Sequence, residues 1–598
     1  MNQRLRTPRP CRRGRAGRRS CTVRVGLVPS GVLQRVNWDR PGGRLAGAKG
    51  SRAIVGRSAT TVEPVLSRPD STPPFDRSMS HSVPPGSSGP DATRLLPADT
   101  NQARGLAEYA IEFLRHPLPL GGSTLELLER FHVDSVGCGV SALARQANAP
   151  TVLRREALAS PPAVGSRGAI CLGCRRPVAI EKGVAADASA VREWDSNGTN
   201  FGHDAAKGRT AGEFGHNDFY PVALAAAREA GFDGDQTLRV MLLIDEIRGR
   251  LAEVFPLRKY AIDHVHHGAI ASAAAYAAAV GGDVDTIESA IGMVGAHYVP
   301  FRAIRAGHQL SDSKGASAAL SAEVAVMSAR RSLAGFIGPK DIFRNPLAIY
   351  RKNVPCPDGQ SPFDLELGLS GDAFAIHSMH FKLGLYEHQS AGALQALVDL
   401  FARCPGLAAD PDRVRRLEVA IYEPAFSIIA DPAKRTPTTR QSADHSLPFI
   451  VARTLLKACD AARGGSATPG WDALMLLPDD YDAERIADPA IAALIAKMAI
   501  IHGGPEYDAR YPDGIPTSLT IDHASFGRLE SGLVCHPLGH ARSDQAATAA
   551  VVDLKFDRLV AGAVEDPAAL ESRVRLAGKS AEEVAELYAF PIHGCDPG

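Results

Sequence analysis

From Gln102 onward, apolar residues recur at spacings of three and four, first in LAEYAIEFLR and then in STLELLERFHVDSVGCGVSALARQ. That period puts one apolar stripe on each segment and predicts packed helices. EKGVAADASAVREWD, FYPVALAAAREAG, DQTLRVMLLIDEIRGRLAEVF, HHGAIASAAAYAAAVGG and GASAALSAEVAVMSARRSLAG repeat it. Their Ala and Gly content allows helix axes to approach closely, as expected of one large all-helical domain over residues 102–373. From about Phe374 to His540 the texture changes to alternating segments such as RRLEVAIYE and TSLTIDHA, with tight turns and frequent Pro. Strands crossed by helices produce that pattern, so 374–540 is expected to be a smaller α+β lid domain. Helical spacing returns in DQAATAAVVDLKFDRLVAG and SAEEVAELYAF, which assigns 541–598 to the first domain. The fold class is therefore mainly α with an α+β second domain.

Residues 1–100 carry no sustained apolar period and are rich in Pro, Gly, Ser and Arg, as in a disordered basic extension. The first sixty residues hold fifteen Arg or Lys against a single acid, Asp39. Such a head fits a nucleic-acid tail, an acid-poor transit leader, or spurious translation upstream of Met79. We favour the last, and with no secretory apolar core the expected compartment is the cytosol.

Composition narrows the function classes. A chain of 598 residues with 45% apolar and 22% charged content can bury a large core. The Ala-rich stretch 268–280 is too short to span a bilayer, so no membrane role is expected. Beyond the basic head no nucleic-acid signature is present. Ten scattered Cys fit a reducing compartment, and the lone CLGC at Cys171–Cys174, with Cys138 as the nearby third Cys, reads as small buried hydrophobes rather than a cluster site. No GxSxG, GxGxxG or GxxxxGK[ST] loop supports serine-nucleophile, dinucleotide or triphosphate chemistry.

Candidate chemistry lies where polar residues interrupt the Ala-rich background. The stretch REWDSNGTNFGHDAAKGRTAGEFGHNDFY at 192–220 places Asp195, Asn197, Thr199, His216 and Asp218 between two helices. A loop held by rigid helices suits catalysis. Asp195, desolvated, and His216, an imidazole, are candidates for proton transfer. His203 reads as an exposed loop residue outside that set. A second cluster, His264, His266 and His267, precedes a small-residue helix. It lacks the HExxH spacing that converges ligands on zinc, so no metal is assigned and one catalytic His with two packed or solvated neighbours is the expectation.

REWDSNGTN followed by GEFGHNDFYPVALAAA, then IDEIRGRLAEVF with IDHVHHGAIASAAAYAAAVGG, resembles the MmgE/PrpD family, which includes 2-methylcitrate dehydratase and cis-aconitate decarboxylase. FKLGLYEHQSAGALQALVDL, ADHSLPFIVARTLL and PLGHARSD resemble later family segments in the same order, so the likeness spans roughly residues 102–590. It implies a helical domain plus an α+β lid, usually in a homodimer. It also implies a metal- and cofactor-independent enzyme acting on a small polycarboxylate. Asp195, His216 and His264 would be catalytic, and Thr199, Lys382 and His388 would bind substrate. Dehydration is the expected reaction. Decarboxylation, dicarboxylate epimerisation and a noncatalytic binding role are the alternatives. This sequence departs from the pattern at three places: Leu310 stands where many members have Lys, with Lys314 four residues later; Phe449 stands where a Tyr is common; and the 199–216 loop is longer than usual.

Overall fold

The computed structural model describes residues 92–200, 203–204, 209–210, 215–305, 309–466 and 468–598. The basic head and Met79, and the side chain of His203, lie outside the described residues. The first element among the described residues is β1 (Ala92–Leu96), which pairs antiparallel with β5 (Leu365–Ser370). This strand falls in the stretch expected to lack structure; five residues paired to a distant partner leave almost no local periodicity to read.

The helical body comprises α1 (Gln102–Arg115), α2 (Gly122–Ala144), α3 (Asn148–Leu158), α4 (Ile180–Glu193), α5 (Tyr220–Ala230), α6 (Gly234–Val254), α7 (Val265–Ala279) and α8 (Val284–His297). The short α9 (Asp312–Gly315) and the longer α10 (Ser317–Leu333) complete it. At its centre α7 is buried on every side and packs on α1, α5, α6, α8 and α10. Eight of its fifteen residues are Ala, and side chains that small allow the surrounding helices to close in. Local signals set the helix ends. Gly231 adopts φ 75° after α5, a left-handed stop that only Gly takes without strain. Asp233 and Gln236 then form a capping box that starts α6.

The later strands form one four-stranded sheet in the order β10 (Gly527–Val534), β9 (Thr517–His523), β7 (Val414–Ile421) and β8 (Met498–His502). β7 and β8 run parallel and the other pairs antiparallel. Buried positions alternate along β9, and the helix Ala391–Arg403 covers β9 and β10. The helix Gln545–Val560 then packs against α2, and Ala581–Ala585 against α5. A mainly helical body with a smaller α+β part is the fold the sequence predicts. No helix among the described residues is long and apolar enough to cross a membrane.

Candidate active site

Helix α4 stops at Trp194, which turns extended and starts the polar loop Asp195–Thr199. The loop is pinned by β2 (Thr199–Asn200), which pairs antiparallel with β6 (Met379–His380), Thr199 opposite His380. This two-residue ladder carries Lys382 to Asp195, and the Tyr386 N–H donates to the Asp195 carbonyl at 3.0 Å. Beneath them, the buried Lys555 ammonium donates to the carbonyls of Ser196 at 2.8 Å and Lys382 at 2.7 Å, and pairs with Asp134 at 2.5 Å. One cation from the helix Gln545–Val560 thus fastens both loops.

Asp195 is the hub of the charge cluster. Lys382 contacts its Oδ1, and Arg192 lies 3.1 Å from the same oxygen. On Oδ2, Lys314 Nζ sits at 3.3 Å and His445 Nε2 at 3.0 Å. Burial opposes ionisation of Asp195, but the charges of Lys314, Lys382, His445 and Arg192 outweigh it and hold the carboxyl well below the usual carboxylate range. Asp444 repeats the arrangement with His445 Nδ1 at 2.6 Å, Arg440 at 2.9 Å and Lys314 at 4.0 Å. Burial again opposes the shift, and Lys314, His445 and Arg440 bring its pKa down.

This cluster forms the floor of a cavity of about 520 Å³. Arg192, Asp195 and His264 line it from the helical body, with Arg302, Leu310 and Lys314 beside them. Lys382 and Glu387 enter on one loop, His445 on another, and the segment Ser427–Lys434 on a third. Volume and lining suit a small anion held by a few convergent polar groups.

The expected site residues separate into two groups. Asp195, His264 and Lys382 line the cavity; Thr199, His216 and His388 are buried outside its lining. Thr199 Oγ1 accepts from the Gly215 N–H at 3.4 Å, closing the neck of the long loop. His216 lies behind the wall, with Nδ1 3.3 Å from Asp245 Oδ1 and the ring edge-on to Phe131 at 4.3 Å. Tyr220 donates to the second Asp245 oxygen at 2.6 Å. A Cβ on Gly198 would lie 2.3 Å from His216 Nε2, so this close approach requires Gly. His388 stacks on His380 at 5.3 Å, and burial depresses its basicity well below that of a free imidazole.

Of the triple histidines, only His264 reaches the cavity, its Nδ1 3.3 Å from the Asp263 carboxylate. His266 bonds through Nδ1 with the Tyr298 carbonyl at 3.3 Å, and burial lowers its pKa to about 4. His267 is likewise pushed down, by burial first and then by His266 and Arg248. Lys314 reaches the site from α9 in spite of its offset along the sequence, while Leu310 forms apolar wall. Phe449 packs on Tyr481 at 5.5 Å, outside the cavity lining.

Lys314, His445, Arg302 and Glu387 line the cavity and Asp444 pairs with His445 behind them, and none of these is in the sequence-based set. The SDSKG and ADHS segments carry Lys314, Asp444 and His445, but nothing local marks them as neighbours of Asp195. Donor atoms of Asp195, Asp444 and His445 lie within 4.8 Å of one another, a spacing that admits a metal ion. The donor set fits one poorly, because Lys314, Lys382 and Arg192 already surround these oxygens with positive charge. Among the described residues, Cys171 and Cys174 join no third donor at metal spacing.

Models of the MmgE/PrpD N-terminal domain and the MmgE/PrpD C-terminal domain match residues 104–354 and 473–577. Two relatives described as 2-methylcitrate dehydratase, from Escherichia coli strain K12 and from Escherichia coli O157:H7, are each 22% identical over 431 residues. The alignment covers 70% of this chain and 83% of each relative.

Proposed function

Since the chain belongs to the MmgE/PrpD family, a family of lyases, we propose that it removes water from a small β-hydroxy polycarboxylate such as 2-methylcitrate, with no metal. The observation that carries this reading is the cavity of about 520 Å³, in which Arg302, Lys314, Lys382, Lys434 and His445 converge. Cations in a water-poor cleft bind carboxylates strongly and stabilise the enediolate-like charge that builds up as the proton beside a carboxylate departs.

In this reading Asp195 is the counter-ion that holds the cations in place. A carboxylate matched by four positive groups is too weak a base for a carbon acid. His264, with Asp263 behind it, faces the cavity and takes the proton. His216 and its Asp245 and Tyr220 partners brace the loop from behind. Lys382, Lys314 and Arg302 receive the substrate carboxylates. The division departs from an Asp195–His216 acid–base pair because His216 sits outside the cavity lining and Asp195 carries no spare basicity. A homodimer is part of the same proposal.

The test is a panel of 2-methylcitrate, citrate, cis-aconitate and an amino dicarboxylate, offered to EDTA-treated protein and followed by the ultraviolet absorbance of unsaturated product. Formation of an unsaturated acid from one hydroxy acid, lowered at least about 100-fold by His264→Gln, supports the reading. Activity that returns only on adding a metal, or no turnover at all, overturns it.

A further inference from the structure

A dehydration needs a second proton carrier to protonate the departing hydroxide, and none of the cations around Asp195 is arranged for that task. Each is already paired with a carboxylate. Glu387 differs from both carboxylates beside it. Asp195 and Asp444 are each ringed by cations, whereas Glu387 makes no ion pair among the described residues. Its backbone N–H donates to the Asp444 carbonyl at 2.8 Å. Its Oε2 accepts from the Gln389 N–H at 2.9 Å, which caps the turn His388–Ser390 and fixes the side chain against the cavity.

We propose that Glu387 is the general acid of the reaction, donating its proton to the leaving hydroxyl of the substrate. This rests on the dehydratase reading above. His264 accepts the proton from carbon, and that electron pair becomes the new double bond. The C–O bond breaks, and the departing oxygen takes the Glu387 proton and leaves as water. The proton on His264 returns to Glu387 through solvent, so the enzyme ends in its starting state and no oxidant or further reactant is needed.

The environment separates the two carboxyls of the cavity in the required sense. Glu387 is buried, and that raises its pKa; the neighbouring Asp195 charge raises it further, against the opposing pull of His445 and Lys382. The other titratable groups that feel Glu387 are Lys434 across the cavity and the buried Tyr422. One carboxyl held ionised beside one whose pKa is raised is the separation of environments that acid–base catalysis by carboxyl pairs employs.

The experiment compares wild type with Glu387→Gln, a substitution that preserves shape and keeps an oxygen to accept from Gln389. The expected result is a kcat lowered about 100- to 10,000-fold with KM within about threefold, together with loss of the alkaline limb of the kcat profile. A loss below about tenfold, or an unchanged alkaline limb, overturns the proposal. A second measurement stands apart from turnover: infrared difference spectra of wild type minus Glu387→Gln at neutral pH. A protonated-carboxyl band present in wild type and shifted by tricarballylate, an unreactive tricarboxylate, supports Glu387 as an acid facing the ligand. Absence of that band overturns it even where the substrate panel succeeds. A panel with no turnover counts against the dehydratase reading, while the band still decides whether Glu387 carries the proton.

Discussion

Replacing Asp195 with Asn separates a counter-ion from a base, because the two roles predict opposite effects on ligand binding. The substitution keeps the side chain's shape and removes a negative charge shared by Lys314, Lys382, His445 and Arg192. Lys314 Nζ sits 3.3 Å from Asp195, so a substrate carboxylate bound to the far side of that ammonium lies roughly 6 Å from Asp195. At that separation and an effective dielectric constant near 20, repulsion between the two anions is about 3 kcal/mol. Screening and rearrangement reduce it, which leaves an expected gain of about 10- to 100-fold in affinity for an anion. Calorimetric titration with tricarballylate measures this directly. The carboxyl is ionised throughout the working pH range, so its removal should leave both limbs of the pH profile present, with the alkaline midpoint moved down because Glu387 loses the neighbouring charge, even as kcat falls. Affinity unchanged or weakened, or loss of an acid limb from the profile, would refute the counter-ion argument and restore Asp195 as the base.

Lys555→Met strands Asp134 among buried atoms and should destabilise the protein by about 3–5 kcal/mol in denaturant unfolding. Adding Asp134→Leu should recover part of that loss, and a single-variant loss below about 1 kcal/mol would mean that the pair does not fasten the loops. The pH dependence of stability is testable through His266. Its folded pKa, depressed to about 4 from 6.5, means that below 6.5 the unfolded chain binds a proton the native state refuses, so stability falls as pH drops from 6.5 towards 4. From pH 7.5 to 5.5 wild type should lose about 1.4 kcal/mol relative to His266→Asn, and a constant difference between the two would show that the imidazole is not buried neutral.

The parts of this protein legible in its sequence are those where the information is local. Helical spacing in 102–333 and alternation in β7 and β9 each repeat over several residues, and each corresponds to a formed element. The polar loop after α4 stands out against its Ala-rich surroundings, which made Asp195 visible. The contacts that assemble the site are of another kind. β2 and β6 are two residues each, too short to show a period, and they join segments 180 positions apart. Lys314, Glu387 and His445 arrive from α9 and from two loops, and only the fold makes them neighbours.

The same distinction explains why residue type alone does not tell which histidines line the cavity. His216 and His388 are as chemically able as His264, and both occupy motifs that resemble the family. What separates them is which way the backbone turns each ring. His264 precedes α7 and meets the cavity, while His266 and His267 fall within its first turn and are buried outside the cavity lining. His216 is directed at the backbone of Gly198, and His388 lies flat on His380. Burial also acts differently on each group according to its partners: it keeps His388 neutral and raises Glu387, yet it fails to neutralise Asp195, which is ringed by cations. A site whose roles are set by how many opposite charges each carboxyl meets cannot be read residue by residue. The roles proposed for it rest on the count of partners around Asp195 against the lack of an ion pair at Glu387 among the described residues, and that contrast is what the paired Asn and Gln substitutions measure.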